Sequence, residues 1–152
     1  MDLDERLDAI GIKLPPVSGP FGAYVPAKRI GNLIYVAGQL PMKDGALMAA
    51  GRVPSKCSLD QAREAAKQCI INALAAVQSI PGGVATIGGV VRVGAFVNSD
   101  DSFTDQPRVA DAASEFLKQI LGDHGQHVRA AVGVNTLPRN ASVEIEVIFE
   151  AK

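Results

Sequence analysis

Two stretches near the C-terminus alternate apolar and polar side chains with the two-residue period of a β-strand. From Val128 to Asn135, residues Val128, Ala130, Val132 and Val134 share one face; from Ser142 to Phe149, residues Val143, Ile145, Val147 and Phe149 do. A strand patterned this way must lay its apolar face on a second layer. The chain offers two long helical patterns for that layer. The first opens at Ser58, an N-cap with Gln61 completing a capping box. It steps through Leu59, Ala62, Ala66, Cys69, Ala73, Val77 and Ile80 until Pro81-Gly82-Gly83 stops it. The second starts near Gln106-Pro107, aligns Val109, Ala112, Ala113, Phe116, Leu117 and Ile120, and stops at Gly122. Two helices can cover one face of a sheet and leave the other open.

The remaining segments complete that sheet. Val90 to Val97 reads as a strand. So does Asn32 to Ala37, where consecutive Leu33, Ile34, Tyr35 and Val36 predict burial on both faces. Residues 2–10 form a short helix, Pro15 to Pro26 an ordered loop or irregular edge strand, and residues 42–57 a loop with a weak hairpin. The order β, α, β, α, β, β predicts an α+β fold, one sheet with two helices on one side. At 152 residues a single domain, 1–152, is expected, with residues 1–16 as an N-terminal extension around the short helix. No run of about 18 apolar residues marks a membrane span. The N-terminus MDLDERLDAIGIK carries acids where a signal peptide needs a positive region, so a cytoplasmic location is expected.

Alternation also makes three charged residues conspicuous. Arg129 points opposite to Val128, Ala130 and Val132, and Glu144 and Glu146 point opposite to Val143, Ile145 and Val147. With the apolar sets under the helices, all three charges fall on the open face. The small neighbours Ala131 and Gly133 leave a pocket there, or room for another chain. On the residues alone, a site and a merely solvated face both fit. Other chemistry finds little support. Cys57 and Cys69 make no CxxC, and with His124 and His127 they match no common zinc spacing. No phosphate-binding glycine loop and no serine-nucleophile motif occurs. Fifteen Lys and Arg face sixteen Asp and Glu, scattered along the chain, which argues against a nucleic-acid surface.

An ordered set of motifs narrows the choice. It runs GPFGAY at Gly19 to Tyr24, IYVAGQLP ending at Pro41, Gln61-Ala62 in the first long helix, VVRVGAFVNSDDSF at Val90 to Phe103, and VRAAVGVNTLPRNASVEIEVIFEA at the end. With the spacing between the arginine, the Leu-Pro turn and the Glu-Ile-Glu strand, the chain resembles the reactive-intermediate deaminase (RidA/YjgF) family, in a longer subgroup. The resemblance implies a chorismate-mutase-like fold and a homotrimer whose sheets face inward, with sites in the clefts between subunits. It implies hydrolysis of 2-imino acids to 2-keto acids and ammonia, without a metal or an organic cofactor. Arg129 matches the arginine that binds the substrate carboxylate. Glu144 matches the glutamate that activates water and relays a proton, and Gly38 a position whose carbonyl holds that water. Phe21, Ala37, Tyr24 and Ala130 complete the implied substrate-binding set.

The chain departs from the family pattern at three places. Phe21 stands where a tyrosine is common, Ala37 where a serine is, and Ala131 where a cysteine is. Three functions fit this pattern: an imine deaminase, a small-carboxylate (keto-acid) binding module, and the endoribonuclease or translation inhibitor that family names suggest.

Overall fold

Helix and sheet form separate layers, because the long apolar stripes belong to the helices and the alternating segments to the strands. The computed structural model describes residues 1–17 and 22–152. Strands β1 (Ala27–Ile30), β2 (Leu33–Gln39), β5 (Ile87–Asn98), β6 (Val128–Val134) and β7 (Val143–Ala151) make a sheet of order β1-β2-β7-β5-β6. Strands β5 and β6 are parallel, and the other neighbours are antiparallel. Strands β3 (Met42–Lys43) and β4 (Ala46–Leu47) form the small hairpin expected within residues 42–57.

Helix α2 (Leu59–Val77) lies on β2 and β7, and α3 (Gln106–Leu121) lies on β5 and β6. The α2 capping box is in place, with Gln61 N donating to Ser58 Oγ at 3.1 Å and Ser58 N to Gln61 Oε1 at 3.0 Å. Ala62, Ala65, Ala66, Cys69 and Ala73 on α2 are wholly buried, so the helix presses its smallest side chains onto the sheet. Under it lie Ile34, Val143, Ile145, Val147 and Phe149. Helix α1 (Leu3–Ala9) buries Leu3 and Leu7, and Arg6 Nη1 donates to Ile120 O at the end of α3. Among the described residues no helix is long and apolar enough to cross a membrane.

Three expectations are corrected. Strand β1 was not expected, yet it pairs with β2 from Ala27↔Val36 to Ile30↔Leu33 across a Gly31-Asn32 turn, Gly31 taking a φ of 58°. Strand β2 is buried on one face only. Ile34 and Val36 go under α2, while Tyr35 is 45% exposed. Strand β6 is turned over. Val93, fully buried beneath the helices, is the partner of Arg129, so Arg129 lies on the helix side; Val128 and Val132 are 67% and 45% exposed on the open face. An apolar alternation names two faces without saying which is the core. At this sheet edge the face toward α3 is the polar one.

Candidate active site

Glu144 leaves β7 on the open face, between Val143 and Ile145, which are both buried under α2. Its partner across β5 is Phe96, and Phe96 in turn pairs with Val132. Next to it, β2 loses step with β7 between Val36 and Gln39, and Ala37 and Gly38 fall in that bulge. A Cβ on residue 38 would stand 2.3 Å from Glu144 Oε1. A side chain at residue 38 would push the Glu144 carboxylate out of this position, so the glycine lets the acid lie against the strand. Gln39 Nε2 donates to Ala37 O at 2.9 Å and braces the bulge.

This seat changes the acid. Burial pushes the Glu144 carboxyl above the ordinary glutamate range, and the neighbouring Glu146 pushes it further in the same direction. Arg92 is already engaged, with Nη1 3.1 Å from Glu146 Oε1. Tyr24, Ala37 and Gly38 line one groove of about 880 Å³ between residues 11–17, the end of β2 and α2. Phe21 lies outside the described residues.

Arg129 projects from the other side of the sheet. Its Nη1 donates to Asp111 Oδ1 at 2.9 Å and to Ser114 Oγ at 3.1 Å, both on α3, and its Nη2 lies 3.5 Å from Pro107 O. The expectation that Arg129 and Glu144 share one open face within the chain is therefore corrected. Ala130 points to the open face, away from the arginine head, and Ala131 is the neighbour on the arginine's side. Beside Arg129 a cleft of about 490 Å³ is lined by Ser114, Glu115, Lys118, Gly125, Gln126 and His127. In it His127 Nε2 is 2.8 Å from Ser114 Oγ, and His127 Nδ1 is 2.6 Å from Gly125 O.

Residues 4–150 match the sequence profile of the family described as "YjgF/chorismate mutase-like, putative endoribonuclease". The chain belongs to this family. Among its YjgF-like relatives, the Trypanosoma cruzi protein TCP17 is 34% identical over 146 residues, covering 95% of this chain and 91% of that protein. A 2-iminobutanoate/2-iminopropanoate deaminase from Dermatophagoides farinae is 32% identical over 138 residues, covering 90% of this chain and 92% of the deaminase. The crystal structure of the Agrobacterium tumefaciens protein Atu1372, of unknown function, is 40% identical. It superposes with a TM-score of 0.89, over 99% of this chain and 92% of that one.

The YjgF-like sequence offered Arg129, Glu144 and Gly38 as candidates, but not Asp111 and Ser114 as partners of the arginine or His127 as the partner of Ser114. Asp111 and Ser114 are three residues apart, which places both on one side of α3 beside its apolar stripe. That polar pair, flanking a core stripe, was the available signal.

Proposed function

We propose that this YjgF-like chain is a hydrolytic deaminase of reactive 2-imino and 2-enamino acids, forming 2-keto acids and ammonia in clefts between the copies of a homotrimer. One observation carries the reading: a half-buried carboxyl, Glu144, seated on the Gly38 backbone with its proton affinity raised. A carboxyl with raised proton affinity takes a proton more readily than an ordinary glutamate and can hand it on. The family membership and the Dermatophagoides farinae deaminase support the same chemistry.

The proposed reaction needs little more. Arg129 pairs with the substrate carboxylate through two parallel N–H···O bonds. The imine carbon is already electrophilic, so orientation supplies much of the acceleration. A water oxygen attacks that carbon, Glu144 takes the water's proton, and the imine nitrogen gains it to give a carbinolamine. The hydroxyl proton then passes by way of Glu144 to the amine, C–N breaks as C=O forms, and ammonia leaves. Within one chain Arg129 and Glu144 lie on opposite faces of the sheet. A small acid bound by Arg129 therefore meets the Glu144 of another copy. The exposed Tyr35, Val128 and Val132 on the open face suit such a contact between copies.

The test is to generate 2-aminoacrylate in situ and follow keto-acid release. The reading expects acceleration over buffer that Arg129→Ala abolishes; no acceleration across a panel of imino acids overturns it. A second reading, keto-acid binding without turnover, is favoured by the apolar side chains of Ala37 and Ala131 near the two functional residues. Calorimetry showing tight keto-acid binding by a hydrolytically silent protein would select it.

A further inference from the structure

We propose that Asp111, Ser114 and His127 form a positioning relay that holds the Arg129 guanidinium by Nη1 and leaves its Nε–Nη2 edge to fork a ligand carboxylate. The relay rests on the carboxylate-binding reading of Arg129 and adds three residues to it. A guanidinium has five N–H donors in a rigid plane. Both Nη1 hydrogens are engaged, by Asp111 Oδ1 at 2.9 Å and Ser114 Oγ at 3.1 Å. Nη2 reaches only Pro107 O, at the 3.5 Å limit of a hydrogen bond. Nε has no partner among the described residues. The fixed side of the arginine is thus the side a carboxylate does not need, and the Nε–Nη2 edge matches two carboxylate oxygens.

Ser114 supports Arg129 only when its lone pairs face the guanidinium, and His127 sets that orientation. The Gly125 carbonyl, 2.6 Å from His127 Nδ1, can only accept, so Nδ1 carries a proton. In the neutral ring Nε2 is then bare and accepts the Ser114 hydroxyl proton across 2.8 Å. With its proton committed to His127, Ser114 Oγ is an acceptor toward Arg129. Gly125 itself sits close against the end of α3, where a Cβ would be 2.6 Å from Leu117 O.

Asp111 contributes charge as well as geometry. It is an internal carboxylate on the guanidinium, so a ligand carboxylate binds to an arginine already partly neutralised. Asp111 therefore orients Arg129 and moderates its hold on the acid, which favours release of the keto-acid product.

The assembled protein is titrated calorimetrically with 2-oxobutanoate, and the side-chain ¹⁵N resonances of His127 are recorded. Asp111→Asn keeps the Oδ1 acceptor and removes the charge, so it should tighten 2-oxobutanoate about three- to tenfold. Ser114→Ala should weaken it about five- to tenfold, less than the full worth of a charge-assisted hydrogen bond because Asp111 still holds Nη1, and raise KM more than it lowers kcat. Ser114→Thr, which keeps the hydroxyl, should restore binding to within about twofold. His127 should show the Nδ1–H tautomer. The relay is overturned by an Nε2–H tautomer, or by Asp111→Asn leaving binding unchanged or weaker while Arg129→Ala abolishes it. If Ser114→Ala does not fold, Ser114→Thr, Asp111→Asn and the tautomer still decide. If Arg129→Ala binds 2-oxobutanoate as wild type does, or wild type does not bind it, the carboxylate reading of Arg129 itself fails, and the relay with it.

Discussion

Glu144 keeps its proton more readily in the folded chain than in water, because burial and Glu146 both oppose its charge. Two consequences separate its chemical role from its structural one. Replacing it with glutamine should lower kcat on 2-iminopropanoate about 10²-fold or more with a small change in KM, as loss of an acid–base group does. The acid limb of the wild-type rate profile, set above the usual glutamate value, should vanish from the residual activity. Stability should move the other way. A carboxyl whose folded pKa is raised binds its proton better in the folded chain. The stability this gives is present in acid and lost as pH rises through the folded value. Glu144→Gln should therefore melt about a degree or two higher than wild type at pH 7, a small effect because the half-exposed group is screened. Thermal scans should show the two proteins converging as pH falls toward about 4, the unfolded-chain value. Glu144 and Arg129 could be picked out in the sequence as candidates, since each stands out against an apolar alternation. The seat of Glu144 on Gly38 was not, because it depends on a bulge that shifts β2 against β7.

At the scale of elements, the helices and central strands were written in capping residues and periodicity, which are local signals. Strand β1 was passed over because Ala27–Ile30 carries two cations and buries only Ala27; its one cue was the Gly-Asn turn that follows. The face of β6 was misassigned for a tertiary reason: α3 offers Asp111 and Ser114 at that edge, and a charged arginine gains more from them than a valine would. Outward valines need other cover. Val132→Asp should leave the fold intact and shift the mass measured by light scattering from that of three chains to that of one. Under the sheet's other face the limit is volume. Ala66 is fully buried on α2, so Ala66→Leu should cost about 1–3 kcal/mol by overpacking, read from urea denaturation.

The whole molecule divides its proposed chemistry between two sides of a sheet. Arg129→Ala chains should be inactive alone, and Glu144→Gln chains should keep about a hundredth of the wild-type activity or less. Produced together in equal amounts, they should recover about a quarter of wild-type deaminase activity. That is the chance that a cleft in a closed ring draws its arginine from one variant and its glutamate from the other. Recovery at background level would place both residues in a single-chain site.

The opposite-face placement of Arg129 and Glu144 also shapes how such a protein would respond to inherited damage. In the proposed ring, where normal and defective chains are made side by side in equal amounts, a lesion at Arg129 alone would remove half of the clefts, because each faulty copy would spoil only the cleft to which it lends its arginine. A chain damaged at both residues would spoil the clefts on either side of it. Loss of function would then be graded by how many duties a copy fails to perform, and one normal allele would keep every assembly containing two adjacent sound copies at work.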